Sequence, residues 1–177
     1  MAELEQTDWE KLEQEIKKAE FVLVGIGKEF HSTERNQEYL MSAYNHLSDL
    51  LKGKTYFVVT ENEDSVIFSS KIMDFFIAAP FADEERIQSS EEQWNAYLNW
   101  LTATLNHRLC ILELGVGFQN PQVIRWPFEK TAQFNLKSVL IRINGSFPQL
   151  AKEIVGRGIS IHENAVDFLN KTHHSLS

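Results

Sequence analysis

The segment "CILELGVGFQNPQVIRWPFEK", residues Cys110 to Lys130, holds the pattern that decides the fold. An apolar run climbs to Gly115-Val116-Gly117, passes Asn120-Pro121 and continues into residues with helical spacing. A short, continuous apolar run of this kind suits a strand covered on both faces, as in a parallel sheet. The same pattern recurs in "FVLVGIG" (21–27), "TYFVVT" (55–60) and "SVLIRI" (138–143), with "GISIH" (158–162) as a weaker fifth. Glycines at the top of such a strand either leave room for a ligand or turn a corner. The segment alone does not choose between them.

Helical patterns fill the gaps. Leu4, Trp9, Leu12 and Ile16 predict an N-terminal helix within 1–20, and Tyr39, Leu40, Ala43, Tyr44, Leu47, Leu50 and Leu51 predict one over 33–52 with Gly53 as its C′ residue. Ser89 and Glu92 form a potential capping box ahead of Trp94, Tyr97, Leu98, Leu101 and Leu105. Asn120-Pro121 is read as an N-cap and first-turn proline, Phe147-Pro148 as the opening of a helix reaching Ile154, and Asn164 as the cap of the last helix. The stretch "SKIMDFFIAAPFADEERIQSS" reads as a helix ended near Pro80 and then a charged loop. Strands alternating with helices predict βαβ units and a doubly wound, mostly parallel, Rossmann-like α/β sheet in one domain spanning 1–177, with a frayed tail from 171.

The chain carries 17 basic and 25 acidic residues, a net charge of −8. Such a balance argues against nucleic acid and anionic membranes as partners, since phosphate binding needs clustered positive charge. No apolar run is long enough for a bilayer, and the charged N-terminus is no signal peptide. The single cysteine, Cys110, lies in an apolar run and reads as core. The expectation is a soluble cytoplasmic protein. The histidines show no metal-ligand spacing, so no metal site is expected.

In open α/β sheets ligands bind beyond the carboxyl ends of the strands. Those ends read "GIGKEF", "TENED", "GVGFQN" and "RINGS", each polar or glycine-rich where its strand is apolar. Gly25-Ile26-Gly27 is by itself a weak signal, because the dinucleotide fingerprint needs a third glycine where Phe30 stands. Lys28 suits a phosphate, whereas Glu29 would repel one.

Taken together the strand ends are more specific. "YFVVTENED", with Thr60, Asn62 and Asp64, resembles the Thr-x-Asn-x-Asp strand end of sirtuins, the NAD-dependent deacylases. "FVLVGIG" resembles the strand entering their Gly-Ala-Gly loop, and "LELGVGFQNPQVIRWPFEK" followed by "SVLIRIN" is most similar to the zinc-poor bacterial sirtuins encoded beside macrodomains. The resemblance covers 21–30, 55–65 and about 109–170. It implies NAD or ADP-ribose as ligand and a transferase-type chemistry. Gly25 and Gly27 would admit the pyrophosphate, with Lys28 near it. Asn62 would lie beside the nicotinamide ribose and Asp64 near the nicotinamide. Gly115, Gly117 and Phe118 would form a second phosphate and ribose loop, and Asn144 would reach the adenosine ribose.

The departures are specific too. Residues 65–106 hold no histidine where sirtuins place their general base, His107 stands just before the third strand, and the four zinc cysteines are absent. The acidic-arginine stretch that follows the first glycine loop in sirtuins is not recognisable in "HSTERNQEYL", where Arg35 is only a loose candidate. The expectation is therefore a nucleotide-binding domain, zinc-independent and weak or inactive as a deacylase, with 65–108 as a reduced insert. One alternative is NAD hydrolysis or ADP-ribosyl transfer using Asn62 and Asp64. Another is a non-catalytic module that meets a protein partner or a second copy through Phe75, Phe76, Ile77 and Phe81.

Overall fold

The computed structural model describes residues 6–82 and 90–171. Helix α1 (Asp8–Lys18) precedes strand β1 (Phe21–Ile26); α2 (Gln37–Leu51), β2 (Thr55–Thr60), β3 (Ile77–Ala78) and α3 (Ser90–Ala103) follow. The second half runs β4 (Leu109–Leu114), α4 (Arg125–Phe134), β5 (Ser138–Ile143), β6 (Gly158–Ile161) and α5 (Ala165–Asn170). The six strands form one sheet in the order β3-β2-β1-β4-β5-β6. Every neighbouring pair is parallel. The fold is a doubly wound α/β sheet of Rossmann type, as the sequence pattern predicts.

Strand alternation feeds two cores. Val22, Val24, Ile26, Val58, Cys110, Leu112, Leu114, Ile141 and Ile143 pack against Leu12, Ile16, Leu40, Leu47 and Phe168 of α1, α2 and α5. Leu23, Phe57, Val59, Ile111 and Leu140 meet Tyr97, Ile124, Phe128 and Ala132 of α3 and α4. Burial on both faces explains why the strands read as unbroken apolar runs rather than alternating ones. Cys110 sits inside the first core, and burial pushes its thiol up to about 12, so it stays protonated. Among the described residues no helix is long and apolar enough to cross a membrane.

Local chemistry sets the boundaries. A capping box that the periodicity did not reveal starts α1: Thr7 Oγ1 accepts from Glu10 N at 3.1 Å, and Thr7 N donates to Glu10 Oε2 at 2.9 Å. Gly53, at φ +77°, terminates α2 from the left-handed region. Asn164 caps α5 by accepting from Asp167 N. The capping box expected at Ser89 falls outside the described residues.

Three expected elements differ. Residues 66–69 and 74–76 form short 3-10 turns, and Ile77–Ala78 becomes an edge strand on Val58–Val59 instead of a helix. Free backbone groups along β2 offer this apolar stretch a ladder partner, and the Gln93 amide takes up Phe75 O. Of the proposed contact patch, Phe75 and Phe81 are exposed, whereas Ile77 is core and Phe76 packs edge-on to Tyr56 and Phe57. Helix α4 begins at Arg125 rather than Pro121: Val123 N returns to Asn120 O, and Trp126 N to Pro121 O. After Phe147-Pro148 no helix forms until a 3-10 segment at 152–157. There the guanidinium groups of Arg125 and Arg142 take the Phe147 and Gln149 carbonyls that a helix would use internally.

Gly25 lies within β1, and a Cβ there would stand 2.5 Å from Ile124 Cγ2 and 2.6 Å from Phe128 Cε2. The missing side chain lets α4 press onto the sheet. Gly25→Ala should therefore cost about 1–3 kcal/mol through overpacking, read as a lower urea midpoint with unchanged slope. A neutral result would show that α4 moves freely over β1.

Candidate functional site

The strand order reverses between β1 and β4, where α2 and α4 depart to opposite faces, so the switch point lies at the tops of these two strands. The loops after β1, β2, β4 and β5 gather there, and with them Lys28, Thr60, Asn62, Asp64, Gly115, Gly117, Phe118 and Asn144.

The two central loops touch. Gly27 N donates to Leu114 O at 2.9 Å, and a Cβ on Gly27 would stand 2.3 Å from Gly115 O and 2.4 Å from Val116 Cα. Gly27 thus serves backbone-to-backbone approach. Gly115 adopts φ +65°, and a Cβ there would meet Glu29 Cβ at 2.4 Å. Glu29 itself spans the edge: Oε2 accepts from Gly145 N at 2.8 Å and Oε1 from Ala165 N at 2.8 Å. Its carboxylate occupies backbone donors that an external anion would otherwise find.

A Cβ on Gly117 would make only an ordinary contact with the Phe147 ring, at 3.8 Å. Phe118 is about half exposed and meets Phe147 edge to face at 5.2 Å, while the Arg125 guanidinium lies 4.2 Å from its ring centre. Asn144 is turned inward: Nδ2 donates to Val116 O at 2.8 Å, and Oδ1 accepts from Ser146 N and Phe147 N. It fixes the loops after β4 and β5 to each other.

A buried ionic cluster lies beneath these loops. Arg142 of β5 donates through Nε and Nη2 to both oxygens of Glu113 on β4, each at 2.9 Å, and through Nη2 to Glu129 of α4. Arg125 adds a 3.7 Å approach to Glu113 and donates to Val116 O and Phe147 O.

At the top of β2, Thr60 Oγ1 accepts from Asn62 N, and Asn62 Nδ2 donates to Gly27 O at 2.9 Å. Asp64 closes its own loop, with Oδ1 accepting from Val66 N and Oδ2 from Ser32 N. Lys28 Nζ donates to the backbone oxygen of Glu61 at 3.1 Å. Glu61 and Asn62 are nevertheless incompletely satisfied. Neither Glu61 carboxylate oxygen has a hydrogen-bond partner, nor does Asn62 Oδ1, although both side chains are buried. Burial pushes the Glu61 carboxyl up to about 7; Lys28 works against the shift and Glu113 with it.

Sequence reasoning assigned Glu61 no role, yet a signal was present. The residue lies two positions beyond Val59 and four beyond Phe57, on the face that α3 and α4 cover. The alternation that makes those side chains core buries this carboxylate as well. His107 sits at the opposite, amino edge of the sheet, with Nδ1 3.6 Å from Glu20 Oε1. Among the described residues no three His, Cys, Asp or Glu side chains gather in a metal-binding cluster. A scan against protein-family models found no match, and a search of curated proteins found none.

Glu61 ties stability to pH. Folded, it keeps its proton to about pH 7; an unfolded chain loses it near the ordinary 4.5. This group's contribution is fully favourable below 4.5, weakens as pH rises through 7 and levels off above. Glu61→Gln should remove that component, leaving the variant more stable relative to wild type at pH 8 than at pH 4.5, by on the order of 2–3 kcal/mol. Parallel denaturation curves at both pH values would test this; an unchanged difference would mean that Glu61 is solvated or paired.

Proposed function

We propose that this chain is a sirtuin-like domain that binds NAD or an ADP-ribose-type nucleotide over the carboxyl edge of its sheet. As a protein deacylase it would be weak or inactive. The observation that carries the reading is the set of unpartnered buried acceptors at the top of β2, beside the switch point. Buried oxygens without donors cost free energy, and the adjacent hydroxyls of a ribose are donors of the kind they lack. The Thr60-x-Asn62-x-Asp64 strand end supports the same ligand class.

The two ends of such a ligand are served unequally. Glu61 and Asn62 suit a ribosyl group, and Phe118 offers an exposed aromatic face. The donors at Gly145 and Ala165 are held by Glu29, so a diphosphate directed there would face a carboxylate. The diphosphate is better accommodated over the Gly115–Gly117 turn, with Lys28 as its nearby cation. Asp64 is engaged by two backbone N–H groups, which suits a residue holding its loop in place. Weak deacylation follows from the missing histidine, since a general base typically contributes ~10²–10⁴-fold to rate.

ADP-ribose or NAD at 100 times its dissociation constant should stabilise the chain by roughly 2.7 kcal/mol, seen as a rise in melting temperature. Asn62→Ala should lose most of that rise. Absence of a shift with millimolar ADP-ribose and NAD alike would overturn the reading.

A further inference from the structure

We propose that Glu61 is a proton-linked selector in this site: its buried carboxylate accepts hydrogen bonds from a ligand hydroxyl pair or carboxamide, disfavours an anion there, and releases its proton as the ligand binds. The inference rests on the nucleotide reading above and adds to it a specificity element and a pH dependence.

The geometry confines the side chain. Glu61 N donates to Ile26 O at 3.1 Å, continuing the β1–β2 ladder one residue beyond β2. Its backbone oxygen is held by Lys28 Nζ, so both backbone groups are engaged. The side chain that they carry is fully buried. Lys28 Nζ is committed to the backbone oxygen, and neither carboxylate oxygen is in a hydrogen bond, although the Lys28 backbone N–H works with its side chain to favour the ionised form. Asn62 Oδ1 adds a third acceptor without a donor at the next residue, its own amide nitrogen fixed on Gly27 O. Glu61 thus presents a buried carboxyl without hydrogen bonds, and Asn62 Oδ1 is a further unmet acceptor on the next residue.

The charged groups acting on Glu61 are Lys28, from the loop after β1, and Glu113, from β4. Glu113 is neutralised in turn by Arg142, with Arg125 nearby. Of α3 on the same face, Gln93 is turned to the Asp74 and Phe75 carbonyls, and Tyr97 is uncharged in its burial. Hydrogen bonds donated to a carboxylate favour its ionised form. A donor ligand therefore draws Glu61 from the acid to the carboxylate, and the proton passes to solvent. A phosphate at the same position would be repelled by the ionised carboxylate.

With the free carboxyl at about 7, its ionised fraction rises from about a tenth at pH 6 to about nine tenths at pH 8. Apparent affinity scales with the competent fraction, so ADP-ribose should bind the wild-type chain about tenfold more tightly at pH 8 than at pH 6. Calorimetric titration in two buffers of different ionisation enthalpy should show about half a proton released per ligand at pH 7. Glu61→Gln, which keeps the shape and removes the titration, should bind with a flat profile and release none. Carboxyl carbon shifts of the ligand-free chain should show one Glu titrating near pH 7 that disappears in Glu61→Gln. Binding with a flat wild-type profile, or a slope retained in Glu61→Gln, would overturn the selector role and leave the nucleotide reading standing. No binding at any pH would overturn both, and a Glu61 carboxyl titrating near 4.5 would overturn the selector role without any ligand.

Discussion

The loops at the carboxyl edge depend on one buried ion pair. Arg142 and Glu113 stand at paired positions on adjacent strands, and their side chains meet through two hydrogen bonds in a space without solvent. Desolvating two charges is costly, and such a pair persists where further hydrogen bonds complete it. Here they do: Arg142 also reaches Glu129 and the Gln149 carbonyl, and Arg125 draws in the carbonyls of Val116, Phe147 and Gln149. The cluster thus fixes where the chain goes after β4 and after β5. It also explains why Gln149 and its neighbours remain extended when their sequence could begin a helix.

Above this base the edge divides into a satisfied half and an unsatisfied half. On the side of β5 and α5, Glu29 supplies an internal anion, and the backbone donors of Gly145 and Ala165 are met. On the side of β2, Glu61 and Asn62 supply acceptors and nothing answers them. The two carboxylates therefore play opposite parts. One closes a place where a phosphate could sit, and the other keeps open a demand for hydroxyl or amide donors. On the nucleotide reading proposed above, that asymmetry, more than the glycine spacing, would favour the ribosyl portion over the phosphates.

The architecture was legible because parallel strands buried on both faces leave an unmistakable mark: "FVLVGI", "CILEL" and "SVLIRI" have no polar alternation to confuse with an exposed sheet. The short edge strand was not, since Ile77–Ala78 are too few to show a period and their pairing depends on Val58–Val59, far away in sequence. The start of α4 was misplaced for a related reason. Asn120-Pro121 has the composition of a helix start, but tertiary packing puts Ile124 against Gly25 and delays the first regular turn to Arg125. At the site, the strand-end positions were visible as residue types. The identity of each one's partner was not. Asn144, Gly25 and Gly27 are engaged in holding loops and a helix together, contacts that arise only when distant segments meet.

Glu61 and Asp64 show how three residues of separation change a carboxylate's chemistry. Asp64 has left the ladder, and two backbone N–H groups of its own loop and the β1 loop complete it. Glu61 is still bound by the ladder and its side chain is buried, with neither carboxylate oxygen in a hydrogen bond. The first has a donor on each oxygen; burial holds the second near the balance between acid and carboxylate. The domain therefore keeps one group able to exchange a proton near neutral pH. It stands one residue beyond β2, next to the switch point at which open α/β sheets take their ligands.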